Sequence, residues 1–140
     1  MKRRIVIADD DPTIVSLVSL RLGLARFDVL SASSGPEALN LIRTVEPVAV
    51  ILDVRMPGGD GLKALDAIKS DPVTRKLPVM MLTGERDSET VMTAMDAGAS
   101  DYMVKPFHPD RLLERVNRLV KSSAMIWAAK PANDGPVWEL

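Results

Sequence analysis

The amino-acid sequence contains no cysteine, and this absence excludes disulfide frameworks, thiolate zinc sites, iron–sulfur clusters and cysteine nucleophiles. The single histidine, His108, excludes a metal site built from several histidines. The sequence also lacks an apolar run approaching the roughly 18–20 residues of a membrane span. The apolar stretch after Arg4 ends at Asp9 and is too short for the core of a signal peptide. We therefore expect a soluble, cytoplasmic protein.

Neither sign of charge is in excess, because 18 Lys and Arg residues stand against 19 Asp and Glu residues, for a formal net charge of -1. This balance argues against a surface that coats nucleic acid and against a polybasic membrane patch. Hydrophobic residues make up 46% of the 140 residues, enough for one globular core of ordinary size. We expect no direct binding of this chain to nucleic acid or to membranes.

Short apolar runs without alternation predict strands that are buried on both faces, as in a parallel sheet covered by helices. Four such runs are residues 4–8, 48–52, 77–82 and 101–104. A fifth run, residues 27–31, is more polar and is predicted to lie nearer an edge of the sheet.

Between these runs, apolar residues recur at helical spacing. Pro12 suits a first helical turn, Asp11 is predicted to cap that helix, and Gly98 is predicted to end the fourth helix in a left-handed conformation. Strand and helix therefore alternate five times, which predicts an α/β fold, a doubly wound three-layer (βα)5 sandwich. Elements of ordinary length use up residues 1–121 as one domain. Residues 122–140 are then an extension of the last helix and an irregular tail, or a truncated linker.

Polar residues close four of the predicted strands. Asp9 and Asp10 follow the first strand, Asp53 the third, Thr83 the fourth and Lys105 the fifth. Because parallel strands end at one edge of a sheet, where open α/β folds bind ligands, these side chains are expected to meet in one cleft. Three carboxylates so close together need a cation, and oxygen ligands without histidine or thiolate indicate Mg²⁺. Together these groups are the parts needed to transfer a phosphoryl group onto a carboxylate.

Each of these residues alone also has a structural interpretation. An aspartate before a helix is often only a cap, and an aspartate after an apolar run is often a turn residue. Their joint occurrence at the ends of successive core strands favours a chemical site. His108 is expected to be a solvent-facing turn residue, and Met80 and Met81 are expected to fill the core.

In this order and spacing, the residues resemble the receiver domains of two-component response regulators over about residues 3–121. The resemblance is carried by the motifs Ile-Val-Ile-Ala-Asp9-Asp10-Asp11-Pro12, Ile-Leu-Asp53-Val-Arg-Met-Pro57-Gly-Gly-Asp-Gly61, Met-Leu-Thr83-Gly84 and Gly98-Ala-Ser-Asp-Tyr102-Met-Val-Lys105-Pro106-Phe107. The family has a flavodoxin-like fold with parallel sheet order 2-1-3-4-5. The resemblance implies that order here, and with it a phosphoprotein of two-component and phosphorelay signal transduction.

The resemblance also implies roles for the polar residues at the strand ends. Asp53 would accept a phosphoryl group from a phosphohistidine on a histidine kinase or phosphotransfer protein. Asp10, Asp53 and the backbone carbonyl of Arg55 would bind Mg²⁺ directly, and Asp9 would act mainly through water. Lys105 would contact the phosphoryl oxygens. The chain would then catalyse only its own phosphorylation and dephosphorylation, and would not be an enzyme with a separate substrate.

A switch is implied by the same resemblance. Thr83 would bond the phosphoryl group and move inward, while Tyr102 would change between outward and inward rotamers. The peptide bond from Lys105 to Pro106 would be cis. These changes would alter the face made by helix 4, strand 5 and helix 5. For Tyr102 the structural alternative is a half-buried strand tyrosine.

The mouth of the expected site contains Arg55, Gly84 and Glu85. We hypothesise that Arg55 and Glu85 form a bridge over the phosphoryl group that restricts the attacking water. Two solvated charges that contribute little as a surface pair are the alternative.

Two other functions remain open from the sequence. Asp9-Asp10-Asp11-Pro12-Thr13 matches the first motif of haloacid-dehalogenase-like phosphatases, but no paired acidic motif follows Lys105 and Asp53 would be unexplained. An unphosphorylated interaction module with the same fold would have no chemical need for the acidic residues, Thr83 and Lys105.

The output of the switch is open as well. The effector would be a downstream protein target or an output domain outside this sequence, and a homodimer through helix 4, strand 5 and helix 5 is a further option. Apolar spacing predicts that the last helix continues to about Ala129. Trp127 would then lie at a dimer interface or pack back on the domain, and Trp138 falls in the irregular tail.

Overall fold

The computed structural model describes residues 3–56, 61–84 and 88–121 together with Trp127. Strands and helices alternate throughout, as the sequence predicts. The elements are β1 (Arg3–Ala8), α1 (Pro12–Leu24), β2 (Phe27–Ala32), α2 (Gly35–Val45), β3 (Ala49–Asp53), α3 (Gly61–Ser70), β4 (Val79–Thr83), α4 (Ser88–Asp96), β5 (Asp101–Val104) and α5 (Pro109–Lys121). The predicted extension of α5 to about residue 129 lies outside the described residues, except for Trp127. Trp138 lies outside them as well.

The five strands form one parallel sheet in the order β2-β1-β3-β4-β5, which confirms the predicted fold class and strand order. The register pairs Ala8 with Leu52 between β1 and β3, Asp53 with Leu82 between β3 and β4, and Thr83 with Val104 between β4 and β5. The carboxyl ends of neighbouring strands are therefore level, and the residues that follow them share one edge of the sheet.

Helices cover both faces of the sheet, and one apolar cluster lies between each face and the helices that cover it. One cluster joins buried residues of α1 and α5, such as Val18 and Val116, to Ile5 and Ile7 of the inner strand β1. The other cluster joins buried residues of α2, α3 and α4 to Val6 and Ala8 of the same strand. Alternate residues of β1 thus face opposite layers, which is why its run shows no polar alternation.

The local signals at helix ends are confirmed. Asp11 caps α1, because its Oδ1 accepts a hydrogen bond from the backbone N–H of Thr13 at 2.9 Å, with Pro12 in the first turn. Gly98, which follows α4, has a φ of 106°, a conformation that only glycine adopts without strain. His108 is exposed, whereas Met80 and Met81 are fully buried in β4.

The prediction that β5 is buried on both faces is wrong. Only Met103 of β5 is buried, and Tyr102 is 36% exposed, because β5 forms an edge of the sheet opposite the predicted edge strand β2.

The fourth strand begins later than the predicted residue 77. Leu77 and Pro78 end the connection from α3, in which the Lys69 ammonium donates hydrogen bonds to the carbonyls of Arg75 and Leu77 at 3.0 and 2.6 Å.

Within the described ranges, no helix combines the length and the apolar character that crossing a lipid bilayer requires.

Candidate functional site

Backbone hydrogen bonds fix the loops at the carboxyl edge of the sheet. The N–H of Asp9 donates to the carbonyl of Ala32 at 3.0 Å, and the N–H of Lys105 donates to the carbonyl of Thr83 at 2.7 Å. Asp9 and Lys105 therefore continue the sheet pairing just beyond β1 and β5. The Lys105–Pro106 peptide bond is cis, the geometry that the family resemblance implies.

Three carboxylates meet at this edge. Asp9, Asp10 and Asp53 each offer one oxygen atom, and these atoms lie within 4.8 Å of one another. Asp9 and Asp53 are buried, at 2% and 7% exposure, while Asp10 is exposed. The cluster therefore has a buried floor and one open side, through which a ligand can approach Asp53.

Lys105 supplies the compensating charge within the cluster. Its Nζ lies 2.8 Å from Oδ2 of Asp9 and 3.4 Å from Oδ2 of Asp53. One ammonium thus bridges two of the three carboxylates, while the third, that of Asp10, is exposed and open to a further cation.

The carboxylate of Asp9 is held in place from two sides. Its Oδ1 accepts a hydrogen bond from the backbone N–H of Asp11 at 2.9 Å, which orients the carboxylate. Its Oδ2 is fully buried and lies 2.8 Å from the Lys105 ammonium. Oriented in this way beside Asp10 and Asp53, Asp9 is part of a cluster suited to a hard divalent cation.

The acidic cluster shifts the protonation of its members. Burial and the neighbouring carboxylate of Asp9 raise the pKa of Asp53, against the opposing effects of the Lys105 ammonium and the Arg55 N–H. Burial by itself lowers the pKa of Lys105, but the carboxylates of Asp9 and Asp53 outweigh burial and raise it. Lys105 therefore stays protonated and pairs with the carboxylates as a cation. The ionised form of Asp53 is disfavoured in the metal-free protein.

The other predicted residues lie on β4, on β5 or in the loops that follow the strands. Thr83, the last residue of β4, is buried, and Tyr102 lies at the surface of β5. The backbone N–H of Arg55 is 3.5 Å from Oδ1 of Asp53, and the Arg55 side chain and Gly84 are exposed. Glu85 lies outside the described residues, as do residues 57–60 of the second motif, so the bridge between Arg55 and Glu85 stays a prediction.

Asp11 separates the two chemical interpretations of the first motif. A haloacid-dehalogenase-like site would use both Asp9 and Asp11, but Asp11 is exposed and its carboxylate caps α1. Asp53, which that interpretation leaves unexplained, instead joins Asp9 and Asp10 in the cluster. The geometry favours the arrangement that the receiver resemblance implies.

Gly61 is a positioning residue whose role the sequence analysis did not identify. Its N–H donates to the carbonyl of Val54 at 2.8 Å, and a Cβ atom at this position would lie 2.0 Å from the carbonyl oxygen of Asp53. The first turn of α3 therefore packs directly on the backbone that carries the Asp53 side chain. A glycine eight residues after an aspartate is the sequence signal, but only the fold shows what it contacts.

Gly61→Ala is expected to destabilise the protein by about 3 kcal/mol, because the methyl group must displace backbone rather than a flexible side chain. Urea unfolding measures this change. Gly23→Ala is the matched control, since a Cβ there meets no atom within 4 Å and alanine is the better helix former. Equal midpoints for Gly61→Ala and the wild type would contradict the close packing.

Comparison with known proteins gives a consistent picture. Residues 5–117 match the family model of the response regulator receiver domain. The chain is 36% identical over 138 residues to the DNA-binding dual master transcriptional regulator RpaA of Synechocystis sp., covering 96% of this chain and 57% of that protein. It spans about half the length of the curated relatives that it matches.

Two solved structures are similar over nearly their whole length. A crystal structure from Chloroflexus aurantiacus, described as a response regulator, is 37% identical with a TM-score of 0.83, covering 86% of this chain and 99% of that one. The chemotaxis protein CheY4 of Vibrio cholerae is 30% identical with a TM-score of 0.80, covering 85% and 99% respectively.

Proposed function

The chain belongs to the response regulator receiver domain family of two-component systems, and on this premise we propose that it is a phosphorylation-dependent signalling switch with Asp53 as the phosphoacceptor. The donor is a phosphohistidine on a histidine kinase or phosphotransfer protein. The observation that carries the proposal is the meeting of Asp9, Asp10 and Asp53 within 4.8 Å, with the Lys105 ammonium beside them.

Asp10, Asp53 and the backbone carbonyl of Arg55 would hold Mg²⁺ directly, with Asp9 acting mainly through water. When bound, Mg²⁺ would supply the positive charge that three carboxylates and a phosphoryl group require together. The approach of three carboxylate oxygens within 4.8 Å of one another supports this assignment, because a divalent cation would offset their mutual repulsion.

Transfer needs little from the chain beyond positioning and charge. A carboxylate oxygen of Asp53 attacks the phosphorus of the phosphohistidine; the O–P bond forms as the P–N bond breaks, and the imidazole leaves after taking up a proton. Lys105 stabilises the negative charge on the phosphoryl oxygens. Attack of water on the phosphorus later releases inorganic phosphate and restores the Asp53 carboxylate.

The phosphorylated state is read at the face formed by α4, β5 and α5. Thr83 bonds the new phosphoryl group and moves toward it, and Tyr102 turns inward. Met92, Met95 and Tyr102 of this face are exposed large apolar side chains, which suits a surface that binds a partner. The partner is a downstream protein, a second copy of the domain, or an output domain beyond this sequence.

The setting follows from the family. Two-component receivers meet their kinases in the cytoplasm, which is where we place this chain. Relatives such as RpaA are described as DNA-binding, but they are about twice as long as the region matched here. DNA binding in the whole protein would therefore depend on residues beyond this domain.

Incubation with acetyl phosphate tests the proposal. Intact mass spectrometry should show one added phosphoryl group in the presence of Mg²⁺ and none after chelation. Hydroxylamine should remove the group, because it cleaves acyl phosphates and leaves phosphate esters of residues such as Thr83 intact. No adduct from acetyl phosphate or from a phosphorylated kinase would instead support an unphosphorylated interaction module.

Arg55→Ala is expected to raise the rate of autodephosphorylation, if Arg55 and Glu85 together restrict the attacking water. The half-life of phosphorylated Asp53 measures this rate after the acetyl phosphate has been removed. Arg75→Ala is a suitable control, because Arg75 is equally an exposed arginine but lies in the connection between α3 and β4. An unchanged half-life in Arg55→Ala would mean that Arg55 and Glu85 are two solvated charges without an effect on the attacking water.

A further inference from the structure

Trp127 contacts a part of the domain far from it in sequence. Its indole N–H donates a hydrogen bond to the carbonyl oxygen of Pro47, 80 positions earlier in the chain. The half-buried ring also packs against the apolar cluster of α2, α3 and α4. Pro47 and the neighbouring Val45 are themselves buried, so the contact is made on the body of the domain.

The position of this contact relative to the sheet is well defined. Helix α5, which ends at Lys121, packs on the cluster shared with α1 on one face of the sheet. Trp127 packs on the cluster of the opposite face. Pro47 precedes β3, whereas Asp53 ends it, so about 17 Å of strand separates the contact from the acidic cluster. Helix α5 and Trp127 therefore pack on opposite faces of the sheet.

We propose that the surface around Val45 and Pro47 is a docking site for the segment of this chain that contains Trp127. Docking there fixes the point at which the chain leaves the domain, at the edge of the sheet opposite Asp53. Any domain that follows in the whole protein is thereby tethered beside the turn from α2 to β3. The contact is made in the unphosphorylated protein.

Tryptophan is chemically suited to this role. The site offers a carbonyl acceptor next to apolar side chains, and the indole provides one donor and a large apolar surface. Only two side-chain torsions have to be fixed when the ring docks, so the entropic cost is small for the area covered. Phenylalanine would keep the apolar contact but leave the Pro47 carbonyl without this donor.

Fluorescence quenching tests the docking directly in the unphosphorylated protein. The chain has no cysteine and two tryptophans, so Trp138→Phe leaves Trp127 as the single tryptophan and an introduced cysteine takes a nitroxide label at one position. Thr44→Cys places the label within about 11 Å of Pro47 along the chain. Thr13→Cys, an equally exposed position at the start of α1, places it at the opposite edge of the sheet.

The label at Thr44→Cys is expected to quench most of the Trp127 fluorescence, and the label at Thr13→Cys little of it. Equal quenching from both positions, or none from either, overturns the proposal.

Tryptic cleavage after Lys121 gives a second readout, since it follows the undocked population when docking is fast. Trp127→Phe should raise that population about fivefold, the equivalent of one lost hydrogen bond of ~1 kcal/mol, and Trp127→Ala should raise it further; an unchanged cleavage rate in both variants contradicts docking.

Discussion

Asp53→Asn is expected to take up no phosphoryl group from acetyl phosphate and, in the absence of metal, to unfold at a higher urea concentration than the wild type. The first effect follows because the amide is a far weaker nucleophile than the carboxylate. The second follows because burial and the carboxylate of Asp9 disfavour the ionised Asp53 in the folded state. The stability gain should be on the order of 1 kcal/mol, the size of one charge pair a few ångströms apart in a solvated site.

The pH dependence of this gain gives a sharper measurement. The folded-state pKa of Asp53 is raised above the ordinary 3.8, so between the two values the folded protein binds more protons than the unfolded chain. Wild-type stability must therefore lose the Asp53 contribution as pH rises through that window. The difference between Asp53→Asn and the wild type should be small below about pH 4 and reach its full size once Asp53 is ionised in both states.

Two controls separate this result from a general effect of charge removal. Asp66→Asn removes an exposed carboxylate from α3 and should change neither phosphorylation nor stability appreciably. Mg²⁺ should stabilise the wild type more than Asp53→Asn, because the variant has lost one ligand. Lower stability of metal-free Asp53→Asn would contradict the electrostatic account, and an undiminished phosphoryl adduct would assign the acceptor elsewhere.

The strand assignments show how far hydrophobic pattern reaches. The polar content of residues 27–31 was sufficient to place β2 at an edge of the sheet, because an edge strand exposes more of its side chains. The run of residues 101–104 gives no such signal, since Tyr102 and Met103 are apolar whether or not a neighbouring strand covers them. Its edge position depends on the strand order 2-1-3-4-5, which the family resemblance supplies and the run itself does not.

The sequence was sufficient to predict which strand-end residues meet at the site, but not the contacts between their side chains. Residues that follow parallel strands must share an edge, so the positions of Asp9, Asp53 and Lys105 in the sequence suffice to bring them together. The bridging geometry of Lys105 requires side-chain torsions that no sequence pattern specifies. The close approach of Gly61 to the Asp53 carbonyl likewise depends on where α3 begins, just beyond residues 57–60.

Trp127 marks the clearest limit of sequence reasoning. Helical spacing after Lys121 suggested either a dimer interface or packing back on the domain, and the contact with Pro47 corresponds to the second. The choice depends on a carbonyl acceptor that lies 80 positions away, and backbone acceptors are present at every residue. Local pattern therefore cannot identify the partner of such a donor.

Lys105→Met is expected to slow phosphorylation of Asp53 by acetyl phosphate about 10²-fold, the usual cost of removing one group that stabilises charge in the transition state. Methionine keeps much of the side-chain volume, so the loss measures the ammonium rather than packing. Intact mass followed over time gives the rate. Lys76→Met, which removes an exposed lysine from the connection between α3 and β4, should phosphorylate at the wild-type rate.

The same substitution should lower the stability of the metal-free protein by on the order of 2 kcal/mol, because two buried carboxylates lose the cation that bridges them. The folded-state pKa of Lys105 is raised above 10.5, so its contribution is fully present at neutral pH and is lost only as pH rises through that higher value. The deficit of Lys105→Met relative to the wild type should therefore persist across neutral and moderately alkaline pH. The pKa of Asp53 should rise further in this variant, which a carbon-13 titration of its carboxyl group can follow.

Magnesium distinguishes the structural role of Lys105 from its chemical role. Without the ammonium beside Asp9 and Asp53, a divalent cation meets less repulsion in the cluster, so Mg²⁺ should raise the melting temperature of Lys105→Met more than that of the wild type. Phosphorylation should stay slow even when Mg²⁺ has restored stability, because one cation cannot occupy both positions around the phosphoryl oxygens. Full recovery of the rate with Mg²⁺ would mean that Lys105 serves only to hold the carboxylates together.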